Sequence, residues 1–287
     1  MLPLAEKFVN PLTDFGFKRI FGEEPNKDIL IAFLNEVLPE RHRIEDLTYA
    51  KNEQLGLGLV DRRAIFDLYC RSVSGERFIV ELQKAKQNFF KDRSVFYSSF
   101  PIREQAQRGD WDFRPEAVYT IGILDFIFDD HREDGDLLHL VELKNQRNEV
   151  FYDKLKYIYI ELPKFTGTVT TDSPPFDKWL YVFRHLANLT ERPAALQERV
   201  FERLFEVARI AEFSPGEQQA YEDSLKYYRD LNNVIDTSRE EGRKEGREEG
   251  SQARAVTIAR KLLASGMSPA AVAAATGLRT EEVAALE

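Results

Sequence analysis

The chain predicts an α/β fold: a mixed β-sheet flanked by helices, followed by a helical C-terminal extension. Three observations predict it. Two runs rich in β-branched and aromatic residues, Arg63–Cys70 and Arg77–Gln83, are joined by Ser72-Val73-Ser74-Gly75-Glu76, which is a hairpin signal. Residues Ala117–Phe128 are almost continuously apolar, as in a strand buried on both faces. Helical periodicity flanks the hairpin, so the order reads helix, three strands, helix, strand.

The elements follow in order. Ile29, Phe33 and Val37, with Leu30, Leu34 and Leu38, recur at helical spacing until Pro39 stops the run, giving a core-facing helix that carries Glu36. Ile44–Leu59 reads as a first strand with a loop, and the hairpin supplies the second and third strands. Phe89–Gln107 is an aromatic and basic helix ending near Gly109. Leu137–Leu143 and Lys156–Leu162 read as two further strands around a turn. Proline-rich residues 171–178 punctuate, and Trp179 begins a helical stretch reaching about Asn233.

The C-terminal part divides differently. Residues 1–235 are read as the core with a helical end, 236–252 as a charged glycine-repeat linker, and 253–287 as a separate segment. Gly242, Gly246 and Gly250 recur every fourth residue among balanced charges. That pattern fits either a helix with a glycine stripe or a solvated linker of fraying helix. Beyond it, Ala255, Ile258, Ala259, Leu262 and Leu263 make one helix that Gly266 ends. Ser268-Pro269 starts a second, Thr276-Gly277-Leu278 turns, and Thr280 caps a third. This is the rhythm of a helix-turn-helix; a helical hairpin for self-association is the alternative. Arg279 stands beside Glu281 and Glu282, which is poor for phosphate contact.

Composition narrows the class. A length of 287 residues with 43% hydrophobic content supports one ordinary core plus appendages. The single cysteine, Cys70, excludes an internal disulfide and fits a reducing, cytoplasmic compartment. No segment approaches 18 uncharged apolar residues, and no cationic stretch with an apolar run opens the chain, so neither membrane spanning nor secretion is expected. The net charge of −9 argues against simple electrostatic DNA binding. It leaves a nuclease open, because a local basic patch sets phosphate affinity.

The hairpin carries the candidate chemistry. If it closes symmetrically about Ser74, Asp67 lies opposite Glu81. Ile79, Glu81 and Gln83 then share its face, while Val80, Leu82 and Cys70 point to the other. The two carboxylates would have Cβ atoms roughly 5 Å apart, close enough to share a divalent cation. A solvent-facing acidic pair splayed into water is the competing reading. Glu142-Leu143-Lys144, preceded by Asp134 and Asp136, is a rival motif. However, Asp136 and Glu142 are separated along one strand by about 20 Å, at ~3.3 Å per residue, and cannot share an ion; Glu142 and Lys144 are expected to be an exposed cross-strand charge pattern. The four histidines, 42, 131, 139 and 185, are scattered, so no zinc site or His-Ser triad is expected.

The chain resembles the PD-(D/E)XK nuclease superfamily, specifically its recombination-promoting nuclease (Rpn) and putative transposase group. The resemblance rests on Thr13-Asp14-Phe15-Gly16-Phe17-Lys18-Arg19-Ile20-Phe21-Gly22, Phe33-Leu34-Asn35, the Asp67 strand, Val80-Glu81-Leu82-Gln83, Asp92–Tyr97, Glu161-Leu162-Pro163-Lys164-Phe165 and Tyr227–Leu231. It implies a restriction-endonuclease-like core and a metal-dependent DNA endonuclease associated with recombination or mobile DNA. Mg²⁺ or Mn²⁺ would be held by Asp67, Glu81 and the backbone carbonyl of Leu82. Gln83 stands where the superfamily name calls for lysine; it can orient a water but brings no charge. Asp14 is a candidate extra ligand or a helix-capping residue, and Glu36 a further candidate. Arg93 and Tyr97, one helical turn apart, with Lys18 and Arg19, are candidates to meet phosphate; packing is the alternative role for Arg93 and Tyr97. Lys84 and Lys86 are expected on the wrong face, although Lys86 near the strand end could swing round. DNA is the expected partner, with a homodimer as a candidate state. The alternative function is a catalytically inactive DNA-binding or interaction module.

Overall fold

In the computed structural model, residues 6–39, 43–51, 53–54, 64–106 and 112–286 are described. The glycine-bearing part of the expected first strand and loop, the helix end towards Gly109, and His42 lie outside them. Two compact units result, Met1–Arg229 and Asp230–Glu287.

The first unit begins with α1 (Asp14–Phe21), whose N-cap is Thr13: its hydroxyl accepts the Gly16 amide proton at 3.0 Å. Asp14 thus lies in the first turn, where a carboxylate suits the helix dipole, and the cap is its neighbour. Thr13 is fully buried, so Thr13→Ala leaves an amide without its acceptor. The expected cost is about 1 kcal/mol, read as a lowered denaturant midpoint; an unchanged midpoint would refute the capping role. Helix α2 (Lys27–Val37) follows and buries Ile29, Leu30, Phe33, Leu34 and Val37, the face its periodicity requires.

The sheet comprises β1 (Leu47–Tyr49), β4 (Leu68–Ser72), β5 (Arg77–Gln83), β6 (Val118–Leu124), β7 (Leu138–Lys144) and β8 (Val150–Glu161), in the spatial order β1-β4-β5-β6-β8-β7. A separate ribbon pairs β2 (Glu53–Gln54) with β3 (Ala64–Ile65). Strands β5, β6 and β8 run parallel, while β1, β4 and β7 pair antiparallel. Helix α3 (Phe90–Glu104) is the crossover between parallel β5 and β6, as such a connection requires. Strands β5 and β6 are buried along their whole length, so β6 matches the doubly buried strand read from its apolar run.

Two layers cover the sheet. Phe78, Val80, Leu82, Cys70, Ile121, Ile123, Ile158 and Ile160 join the large core with α1, α2, α4 (Pro175–His185) and α5 (Arg199–Val207). Trp179 and Phe183 of α4 stand against Phe21 and Phe33 there. On the other face, Tyr69 and Ile79 pack with Phe66 and Phe100, and Leu124, Tyr157 and Tyr159 with Phe90 and Phe128. Cys70 therefore lies on the opposite face from Glu81, as side-chain alternation predicts.

Two expectations need correction. The described part of the run 63–70, residues 64–70, is not one strand: β3 ends at Ile65, the chain bends at Asp67, and regular pairing with β5 begins at Leu68. Thr280 is not the cap of the last helix; that position is Arg279, whose amide donates to Glu282 at 2.8 Å.

Helix α6 (Pro215–Ala264) is continuous through the glycine-repeat segment 236–252. In the second unit its end packs with α7 (Pro269–Thr276) and α8 (Thr280–Ala284) around Ala259, Val272, Ala273, Leu278 and Val283. Gly266 and Gly277 take φ of +87° and +76°, left-handed values that end helices at little cost only for glycine. Among the described residues no helix is long and apolar enough to cross a membrane.

Candidate active site

The β4–β5 hairpin closes with Leu68 opposite Val80, Tyr69 opposite Ile79 and Cys70 opposite Phe78. Continuing that register by one pair sets Asp67 against Glu81, the pairing that symmetry about Ser74 predicts. The bend makes this pairing a site rather than one more ladder rung. Arg77 and Gln83 direct their backbone groups at the β6 side, to Ala117 and Asp125, so alternate residues such as Leu82 face the β4 side. There the strand has left the ladder, and the Asp67 carboxylate replaces the missing carbonyl: Asp67 Oδ2 accepts the Leu82 amide at 2.7 Å. Asp67 donates its own amide to Glu81 Oε1 at 3.4 Å. By the same alternation the Leu82 carbonyl is turned to the Asp67 side.

Burial defines the electrostatics. Glu81 and Gln83 are each only 8% exposed. Burial first, then the Asp67 charge, pushes the Glu81 carboxyl up to about 8, against an opposing pull from Arg93 and Lys18. Asp67 is also raised above the usual carboxylate range, by burial and by Asp14; the Leu82 amide, Lys18 and Lys84 oppose this. Two acids so placed cannot both ionise cheaply without a cation between them.

The flanking candidates arrange themselves around the pair. Arg93 donates to the Gln83 amide oxygen and to Gln87, and lies over Phe90 and Tyr97 at 5.0 and 5.6 Å from the ring centroids. Tyr97 feels both Glu81 and Asp67, and its hydroxyl is raised chiefly by burial. Gln83 donates its amide to the Ala85 carbonyl at 2.8 Å, so both ends of the side chain are fixed. Lys18 and Asp14 form an exposed ion pair at 3.0 Å whose charges both reach Asp67. Arg19 instead pairs with Glu23 and Glu217.

Glu36 is not brought to this group; it lies exposed on α2, with Arg43 as its charged neighbour. Lys86 does not swing towards the pair but binds Asp129. Lys84 lies 5.6 Å over the Tyr227 ring, yet its charge acts on Asp67, a proximity that strand alternation did not reveal. The rival Glu142 pairs with the buried Lys156 across β7–β8 and with Lys144 at 3.6 Å, a structural charge cluster on the far edge of the sheet.

Sequence reasoning missed one group. His131, His139 and Glu161 converge, with ligand atoms within 4.8 Å of one another, so two of the four histidines are not scattered. The signal was a glutamate ending the apolar run Tyr157–Ile160: a charge buried at a strand end requires partners.

A six-stranded mixed sheet sandwiched by helices, with paired acids where an antiparallel hairpin meets parallel strands, defines a restriction-endonuclease-like α/β protein. A family model described as PD-(D/E)XK nuclease family transposase matches residues 11–238. The chain belongs to that family. A second, described as the Rpn/YhgA-like nuclease family C-terminal HTH domain, matches residues 252–287. No curated protein matches the chain, and no solved structure does.

Proposed function

We propose that the chain is a divalent-metal-dependent DNA endonuclease that hydrolyses phosphodiester bonds with the hairpin acids. The observation that carries this reading is the buried Asp67–Glu81 pair, whose carboxyls are both raised. The donor set fits a hard cation: two carboxylates and a main-chain carbonyl, all oxygen, as Mg²⁺ or Mn²⁺ prefers. Asp67, Glu81 and the Leu82 carbonyl would hold it, and its chemistry there would be to acidify a water and neutralise phosphate charge. Glu81 would be held ionised with the cation in place, against the burial that otherwise favours its protonated form. Gln83 orients the attacking water through an amide that Arg93 and Ala85 hold in place. Arg93 brings the positive charge that Gln83 lacks, since its guanidinium binds Gln83 and acts on Glu81.

This division of labour makes a prediction. Arg93→Ala should lower cleavage by about 10²-fold, the scale for losing one charge-stabilising donor, with Arg93→Lys recovering part of it. Equal activity of Arg93→Ala and wild type would leave Arg93 a packing residue.

The family name of the 252–287 segment supports DNA as the ligand of the second unit, although Arg279 is engaged by Glu282 at 3.1 Å. The test of the whole reading is conversion of supercoiled plasmid to nicked or linear forms with Mg²⁺, Mn²⁺, Ca²⁺ or chelator. Metal-dependent conversion supports it. Absence of cleavage with every metal, alongside retained DNA binding, would favour the inactive binding module that Gln83 in place of lysine suggests.

A further inference from the structure

We propose that His131, His139 and Glu161 form a second metal site, suited to a transition-metal ion of the Zn²⁺ class and distinct from the all-oxygen site of the hairpin. Three elements build it. Glu161 ends β8, its amide donating to the Leu137 carbonyl at 2.8 Å. His139 lies in edge strand β7 opposite Tyr159. His131 ends a short 3-10 turn, Asp129–His131, and stands edge-on to Phe128 at 5.3 Å.

The geometry is that of a ligand set. His131 Nδ1 lies 3.2 Å from Glu161 Oε1, and His139 Nε2 lies 3.2 Å from Glu161 Oε2. Ligands about 2.0–2.1 Å from a tetrahedral zinc stand roughly 3.3 Å apart, so an ion could replace these two contacts with small adjustments. The imidazoles are stacked at 4.1 Å and turn one nitrogen each towards the same carboxylate. Their other nitrogens face acids: His131 Nε2 lies 3.9 Å from Asp130, and His139 Nδ1 3.8 Å from Asp134. An imidazole between a metal and a carboxylate is the usual orienting arrangement. On binding, each ring would coordinate through its inward nitrogen and turn its outward N–H towards Asp130 or Asp134.

Glu161 is preorganised for this. Its side chain is fully buried, with the Phe128 amide on Oε1 at 2.7 Å and Lys164 on Oε2 at 2.8 Å. Burial works against its ionisation, yet Lys164, the Phe128 amide and His139 hold the carboxyl below its usual range. Lys164 opposes a cation, but it is also bound to the Asp136 carbonyl, and Asp134 adds negative charge beside His139; the charge of Asp130 is shared with Lys91. Two imidazoles and a carboxylate suit zinc-class ions and not Mg²⁺. The position matters as well. Glu161 is in register with Leu124, and Leu124 with Gln83, so Glu161 lies two strand spacings, roughly 10 Å, from Gln83, at the same end of the sheet as the hairpin acids. An ion there would pin the 125–136 segment, whose Asp129 binds Lys86 ahead of α3 and whose Asp130 binds Lys91 in the first turn of α3.

The test uses the untagged full chain, stripped with a chelator and titrated with Co²⁺ and then Zn²⁺. Wild type and Glu81→Ala are both expected to bind one Co²⁺ with strong visible d–d bands of a four- or five-coordinate ion; Zn²⁺ should displace it and raise the melting temperature. His131→Ala/His139→Ala should lose the bands and the thermal shift. His139→Gln, which keeps a donor to Glu161, should bind at least about tenfold more weakly and covers the case in which the double variant fails to fold. Absence of strong bands in wild type, or bands unchanged in His139→Gln, would overturn the proposal. Bands lost in Glu81→Ala would assign the ion to the hairpin and overturn it equally.

Discussion

Glu81→Gln and Asp67→Asn are each expected to reduce metal-dependent plasmid cleavage by on the order of 10³-fold. Metal-borne charge stabilisation amounts to several kcal/mol, and each ~1.4 kcal/mol is tenfold in rate. Both replacements keep shape. Asparagine at 67 can still accept the Leu82 amide through its carbonyl oxygen, and glutamine at 81 can still receive the Asp67 amide, so the bend survives while the negative charge is lost. Retained folding with lost turnover is therefore the expected signature, checked by circular dichroism beside initial cleavage rates. Cleavage persisting at the wild-type rate in Glu81→Gln would remove the hairpin from the chemistry and return attention to other carboxylates.

The second large effect appears without DNA. The Glu81 carboxyl stands at about 8 in the folded chain, raised by burial and by Asp67, against roughly 4.3 when unfolded. Between those values the folded state holds a proton that the unfolded state has released. Linkage then gives a falling stability as pH rises through that window, with a slope of up to about 1.4 kcal/mol per pH unit for one such group, levelling above pH ~8. The expectation is that metal-free wild type loses melting temperature from pH 5 to 8 relative to Glu81→Gln. A divalent cation, which favours the ionised pair, should restore most of it at pH 8. Parallel pH profiles for wild type and Glu81→Gln in chelator would show that the pair does not titrate this way.

How much of this was legible in the sequence depends on how locally each feature is encoded. The pairing of Asp67 with Glu81 follows from side-chain alternation in a hairpin whose turn residues are visible, and the observed register agrees. The bend at Asp67 was not legible: β-branched and aromatic neighbours mask a break caused by a carboxylate replacing a ladder carbonyl. Arg93 was legible only as one of two residues a helical turn apart; its grip on Gln83 depends on how α3 packs over the sheet. The histidine cluster was least legible, because it joins a 3-10 turn, an edge strand and the end of β8. The long helix α6 illustrates a different limit. Glycines at every fourth position lower helix propensity without forbidding a helix, so composition left two outcomes open.

The hairpin also has a consequence for how the site comes into being. Asp67 and Glu81 are only 14 positions apart along the chain, so the entropy of closing the loop between them is small and grows only logarithmically with length. The three groups proposed to hold the hard cation, Asp67, Glu81 and the Leu82 carbonyl, lie on one uninterrupted stretch. The acidic centre can therefore take shape as soon as that stretch zips, before distant elements have docked. A circular permutation or an insertion elsewhere in the chain would leave its wiring intact.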